Sequence, residues 1–399
     1  MLVGYRGVDG SCRLACPAFA RALRGRLGSL DPRALDRLRT ALADDVRRLR
    51  QHGVDLAGYT VAEVVADIEA ACDALGLETV DLLSASYGTR LTQLYGHLHR
   101  ERVGRSVMIG VNPPGCFVWE PDAIEAVLRR YADAYRRRDD RDPAVDDLVD
   151  VIRHGLGALP PRWRGVPIDP GKVRVMTFLL LFNVRSAAMV IDAYLAAARG
   201  DASGLALLSV AAAAVLPRIM LWGDLFAKGT SADFDASRNY AADLDRPDLA
   251  LGAPLSLLIW GTAQGAWPAT VVDEDMRQAQ PSDVETLLIG GNLDMSTPPE
   301  LATTELLPLL SRGHQVILRD AGHVNDLWHL QPAATERLLT SFYATGKPDS
   351  SLCHYVPLSV RPTLRLPVLA RTAVSLGVGA VAAALGWGVI QHRRRILAA

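Results

Sequence analysis

Hydrophobic positions change period several times along this chain of 399 residues, and the changes divide it into elements. Thr60 followed by Glu63 makes a capping box, and Val61, Val64, Val65, Ile68, Cys72 and Leu75 recur at helical spacing up to Gly76. The apolar run 79–83 predicts a short buried strand. Leu91 and Leu94 continue a second helix to about His99, and 105–110 predicts another strand. Helix, strand, turn, helix, strand in that order implies two parallel strands joined by a right-handed helical crossover. Downstream, 284–289 and 315–318 predict two more buried strands, while 176–182, 187–198 and 204–216 read as apolar helices. The residues 2–5 read as a strand entered with no lead-in. The pattern as a whole predicts an α/β fold, a mostly parallel sheet flanked by helices, with a helical region inserted between its two halves.

The C-terminal pattern is different. From 372 to 390 no residue is charged over 19 positions, enough at about 1.5 Å per residue to span a thin hydrocarbon core. Arg371 precedes the run, Arg393, Arg394 and Arg395 follow it, and Trp387 stands near one edge. Ser375, Gly379 and Ala383 form a line of small residues suited to close helix contact. A single transmembrane helix is expected, the alternative being a buried helix of the globular domain. The arginine cluster beyond it favours a cytoplasmic tail and an extracytoplasmic domain. That orientation requires an export signal, and the first residues lack the charged start and long apolar stretch of one.

Composition narrows the classes. Hydrophobic residues at 49% and charged residues at 22% suit a packed globular chain and exclude disorder. A net charge of −1 gives no electrostatic case for a nucleic-acid partner. The five cysteines lack metal-site spacing, since no second pair answers Cys12 and Cys16. Cys72 falls on an apolar helix face, a buried thiol. No cofactor or metal site is expected, and no disulfide is implied.

Candidate chemistry sits in the turn "LLSASYGTRL", residues 82–91. A serine between a strand and a helix is held in strained backbone with its side chain above the sheet edge, and small residues must flank it. Gly88 supplies one flank, and Ser84 stands where the usual Gly-x-Ser-x-Gly pattern has its first glycine. The backbone N–H of Tyr87 follows Ser86 and is placed to donate to an oxyanion. Such a turn is common by itself. Far downstream, Asp294 lies on the loop beyond the strand 284–289, and His323, preceded by glycine, follows the strand 315–318. The order Ser86, Asp294, His323 is that of an α/β-hydrolase. An imidazole must take the serine proton, and a carboxylate must fix the imidazole. Asp283 and Asp320 are rivals for the acid, the first ahead of a strand and the second close to the histidine. Asn112 sits where some such enzymes place the acid and cannot serve. Among the histidines, His97 and His99 lie on the helix after the turn, and His314, His354 and His392 lie elsewhere. His329 is the one close rival, expected to support the site.

With these residues placed, the chain resembles the α/β-hydrolase family that includes proline iminopeptidases and tripeptidyl aminopeptidases. The resembling stretches are "VGYRGVDGS", "GVDLAGYT", "LLSASYGTRL", "SVMIGVNPPG", "GGNLDMSTPPELA" and "AGHVNDLWHLQPAA". The resemblance implies Ser86 as nucleophile, Asp294 as acid and His323 as base. It implies hydrolase core over 1–118 and 251–345 and a helical lid over 119–250, and the hydrophobic pattern adds a linker over 346–371 and the membrane helix over 372–390. It also implies a serine hydrolase working through an acyl-enzyme, most simply an exopeptidase on a short peptide or other small molecule. The alternatives are an ester or lipid hydrolase, or an impaired hydrolase-like binding protein. Relatives hold a substrate ammonium with lid carboxylates, for which Asp224, Asp233 and Asp235 are candidates by type. Trp222, Trp260 and Trp267 are read as core residues with a lesser case for the pocket. Two departures stand out. No cysteine near Val46 offers Cys16 the partner that relatives have. No glycine-rich loop precedes residues 2–5 to supply the second oxyanion donor, so Met1 is expected not to be the native start.

Overall fold

A computed structural model describes residues 3–375, apart from 29 and 269. The chain opens with two short paired strands, β1 (Arg6–Gly7) and β2 (Asp9–Arg13), then helices α1 (Pro17–Ala22) and α2 (Pro32–Gln51). Asp31 caps α2 by accepting from the Ala34 amide at 2.8 Å, and Leu35, Leu38, Leu42, Val46 and Leu49 form its buried stripe. Next come α3 (Val61–Ala74), β3 (Val80–Ala85), α4 (Tyr87–Leu98) and β4 (Val103–Ile109). The expected cap is present, with Thr60 Oγ1 accepting from the Glu63 amide at 3.4 Å.

The helical region follows: α5 (Pro121–Arg136), α6 (Leu148–Gly157), a small antiparallel pair β5 (Arg162–Trp163) and β6 (Val166–Pro167), α7 (Pro170–Leu180), α8 (Val184–Ala198), α9 (Ser203–Val215), α10 (Trp222–Asp233), α11 (Tyr240–Leu244) and α12 (Pro254–Ala263). The chain then returns to the sheet with β7 (Glu285–Gly291), a short helix α13 (Pro299–Leu301), β8 (Gly313–Leu318), α14 (Asn325–Leu330) and α15 (Pro332–Thr345), and ends its described part in α16 (Leu366–Ser375).

The four long strands make one parallel sheet in the order β3-β4-β7-β8. Central β4 and β7 are apolar on both faces. Val107, Ile109, Leu287 and Ile289 pack with Phe342 of α15 on one side, and Met108 and Leu288 with Leu306 on the other. Arg105 and Glu285 face each other in register and pair at 2.6 Å. β3 is an edge strand whose alternate residues Asp81, Leu83 and Ala85 are exposed.

Two expectations change. Residues 3–5 form no strand: the Tyr5 carbonyl accepts from the Val8 and Asp9 amides, at 3.0 and 2.9 Å, and turns the chain instead of joining a ladder. Helices α1 and α2, read with the first core segment, pack with the helical region in one apolar cluster. Phe19 touches Trp222 and Phe226 edge-on, and Trp260 belongs to the same cluster. Within 346–371, Leu358, Val360 and Leu366 are buried against that cluster, and Arg365 and Arg371 pair with Asp192 and Asp201 at 2.8 and 2.9 Å. Among the described residues no helix is long and apolar enough to cross a membrane, and beyond Ser375 the expected span 372–390 lies outside them.

Candidate active site

Ser86 joins β3 to α4 with φ 53° and ψ −126°, a left-handed backbone that costs a side-chain-bearing residue about 1–3 kcal/mol. Neighbouring bonds hold it there. The Ser86 amide donates to the Ile109 carbonyl at 2.8 Å, and the Ser86 carbonyl accepts from the Thr89 hydroxyl at 2.7 Å. The same hydroxyl accepts from the Asn112 amide at 2.8 Å, which ties the turn to the exit of β4. A Cβ on Gly88 would lie 3.8 Å from the Ser84 Cβ, an ordinary contact, so serine fits at the first flank. Tyr87 is the first residue of α4, and its N–H has no intrahelical acceptor.

Beneath this turn, fully buried Arg90 forms an ion pair with Asp233 and donates to the Pro113 carbonyl at 2.9 Å. Asp233 also accepts from the Phe117 amide at 3.1 Å. It is thus committed to supporting the turn and unavailable to a substrate ammonium. Asp235 accepts from the Ser237 hydroxyl at 2.7 Å away from the site.

The acid loop follows β7. Asp294 is completely buried, with Oδ1 accepting from the Ser296 and Thr297 amides, both at 2.8 Å, and Oδ2 from the Thr297 hydroxyl at 2.9 Å. His323 Nδ1 meets Oδ2 at 2.8 Å, and His323 Nε2 meets Ser86 Oγ at 2.8 Å. A carboxylate only accepts, so Nδ1 carries the ring proton, and Nε2 of the neutral ring accepts from the serine hydroxyl. The structure therefore brings Ser86, His323 and Asp294 into one hydrogen-bonded line, with the Tyr87 amide beside the serine.

Three partners of the histidine loop had no sequence signal strong enough to single them out. The His323 amide donates to the Phe182 carbonyl at 2.6 Å, and Asn183 Nδ2 donates to the His323 carbonyl at 2.9 Å. Buried Asp326 accepts from the Gly322 and Val184 amides at 2.8 and 2.9 Å, locking the loop to the start of α8. Burial raises the Asp326 carboxyl above its ordinary pKa against the pull of those two amides. Gly110 has φ +63°, and a Cβ there would stand 3.0 Å from His323 Cε1.

The rivals lie elsewhere. Asp320 binds Arg137 and Tyr355, at 2.9 and 2.8 Å, and Asp283 pairs with Arg100 on the surface. Buried Asn112 donates to the Cys116 carbonyl at 3.0 Å. His329, expected to support the site, is exposed on α14 because that face of the helix points outward. Asp326 takes the supporting role. All five cysteines are free thiols.

Ser86 and His323 open into a cavity of about 930 Å³. Its wall is largely apolar, including Phe117, Trp119, Leu179, Leu208 and Ala211, while Trp222, Trp260 and Trp267 are core residues outside it. Four charged side chains besides the histidine reach it. Arg13 and Arg218 are exposed, and Asp224 forms an ion pair with Lys228. Lys228 also donates to the Arg6 carbonyl at 2.9 Å and stands 5.2 Å from the Tyr5 ring centre. Burial, and secondly the Arg6 charge, push its ammonium pKa down to about 7, opposed by Asp67.

The parallel sheet, the strained serine turn and the chain order Ser86, Asp294, His323 make this an α/β-hydrolase fold. No protein-family model and no curated protein matches the chain. Among solved structures, a meta-cleavage product hydrolase from Pseudomonas fluorescens is 17% identical over 72% of this chain and 73% of that one, with a TM-score of 0.33. An esterase from Exiguobacterium antarcticum is 17% identical over 73% and 76%, with a TM-score of 0.33. A thermophilic esterase from Thermogutta terrifontis is 13% identical over 72% and 73%, with a TM-score of 0.32. Likenesses at this level carry no functional weight.

Proposed function

We propose that the protein is a serine hydrolase that cleaves an ester or amide through an acyl-enzyme on Ser86. The observation that carries this reading is the hydrogen-bonded line from Ser86 Oγ through His323 to Asp294, 2.8 Å at each step, in the wall of a large cavity. Ser86 Oγ attacks the carbonyl carbon while His323 Nε2 takes its proton. The oxyanion forms against the Tyr87 N–H, and Asp294 stabilises the imidazolium. The imidazolium then protonates the leaving alkoxide or amine as the carbonyl–leaving-group bond breaks. Water, deprotonated by the same nitrogen, releases the acid and restores the serine.

Within that class an exopeptidase reading has one observation in its favour, a carboxylate in the cavity wall. That group is Asp224, already paired with Lys228, so a substrate ammonium would have to displace the lysine. An apolar ester or amide needs no such exchange and is the better fit. The uncharged run 372–390 supports attachment of the domain to a membrane, and Arg393, Arg394 and Arg395 beyond it support an extracytoplasmic domain. Recovery of the full chain in the soluble fraction would overturn the attachment, and resistance of the domain to protease added outside intact cells would overturn the sidedness.

A fluorophosphonate probe tests the chemistry. Covalent labelling of the full chain and its loss in Ser86→Ala, with kcat down about a millionfold, are the expected results. A folded protein that takes no label is a binding protein instead.

A further inference from the structure

Leu366 lines the same cavity as Ser86 and His323, and its volume of about 930 Å³ is well beyond what a small acyl group would occupy. One long side of it is α9. Leu207, Ala211 and Val215 recur there every fourth residue, so they share one helix face over about 12 Å at 1.5 Å per residue. At the N-terminal end of α9 the cavity meets α16. Ser203 Oγ donates to the Pro367 carbonyl at 3.3 Å, and a Cβ on Gly204 would be 3.2 Å from the Pro367 ring, so the two helices are in close contact there. Leu366, itself buried, lines the cavity beside that contact.

Polar groups are distributed unevenly around this space. Asp224 and Lys228 belong to α10 and satisfy each other, Arg13 and Arg218 are exposed, and Tyr5, Tyr87, Asn183 and Ser296 line the cavity from elements other than α9. The α9 face offers no side chain that could pair with a peptide N–H, a carbonyl or a charge. A peptidyl group laid along it would lose its water without replacement, whereas hydrocarbon would lose nothing. An acetyl group would leave most of the 930 Å³ unfilled.

We infer that the acyl half of the substrate is a long hydrocarbon chain, lying along α9 with its far end at Leu366. The inference rests on the acyl-enzyme reading and assigns its substrate class. Hydrolysis joins the chain's carbonyl carbon to Ser86 Oγ, expels the alcohol with the proton held by His323, and then releases the long-chain acid with the elements of one water.

The test uses the purified full chain and p-nitrophenyl esters of acetate, butyrate, octanoate, laurate and palmitate, alongside fluorophosphonate labelling and aminoacyl anilides. The expected result is a kcat/KM that rises about fourfold per methylene, the ~0.8 kcal/mol of one buried CH₂, to octanoate or beyond. Ala211→Trp, which fills the middle of the α9 face, should lower the laurate-to-butyrate ratio by tenfold or more, on the order of what a pocket yields for a misfit of a methylene or two. Leu366→Ala, which lengthens the cavity, should move the optimum toward palmitate, and it keeps the inference testable if the tryptophan variant does not fold. A labelled enzyme that prefers acetate or aminoacyl anilides, with the chain-length ratio unmoved in both variants, overturns the inference and leaves the serine hydrolase standing. A folded protein with neither label nor ester turnover removes both.

Discussion

The cavity has two walls built on different physics. On the sheet side, Ser86, Asp294 and His323 stand on loops that leave β3, β7 and β8, and each is fixed by directional bonds of 2.6–2.9 Å. On the helical side, Leu207, Ala211 and Val215 present hydrocarbon, and these side chains are placed by packing. A directional network fails when one atom changes, while a packed wall deforms and alters only what fits against it. Damage to the first wall should therefore appear in turnover, and change in the second in preference.

The largest expected effect that tests this contrast is Asp294→Asn. The amide can donate to His323 Nδ1 and favour the wrong tautomer, so kcat should fall by about 10⁴ with little change in KM. Steady-state kinetics on any accepted ester would read this out, and a loss below tenfold would mean the carboxylate is not the orienting group. Asp233→Ala comes next and acts on stability. It leaves the Arg90 guanidinium buried and uncompensated, at a cost of about 3–5 kcal/mol in urea unfolding. Gly110→Ala should follow. A side chain at φ +63°, 3.0 Å from the imidazole, displaces His323, and kcat should drop about 10²-fold as geometry loosens. At the small end is Met189→Leu in the apolar wall, a near-isosteric change expected to cost under about 1.5 kcal/mol and to leave kcat within a few-fold. If Met189→Leu rivals Gly110→Ala in kcat, the division between the walls is wrong.

The same contrast explains what was legible in the sequence. The Ser86 turn, the Asp294 loop and the Gly322–His323 pair are local: each needs a strand end, a small residue and one functional group within a few positions, and local order survives in one dimension. Strand and helix periods placed β3, β4, β7 and β8 for the same reason. Long-range partners carried no such mark. Arg90 and Asp233 are separated by 143 positions, and the Phe182 carbonyl that receives the His323 amide is a backbone atom any residue would supply. Asp326 lies three residues after the histidine in the first turn of α14, where an acid is ordinary and carries no mark of a special role. His329 drew attention by type and proved exposed. Residues 3–5 have strand composition, yet a strand also requires a neighbour, and Tyr5 spends its carbonyl on a local turn. The helices facing the cavity are apolar on the side that packs and the side that lines, so periodicity could not tell core from pocket.

Leu366 gives the end of the chain a second meaning. The helix that reads as the approach to an uncharged tail also supplies part of the cavity wall, and Arg365 just ahead of it and Arg371 within it pair with Asp192 and Asp201. Trimming the protein ahead of that helix to ease its handling would leave the reactive serine intact but let solvent flood the chamber. The seat of α16 and the shape of the chamber are therefore coupled.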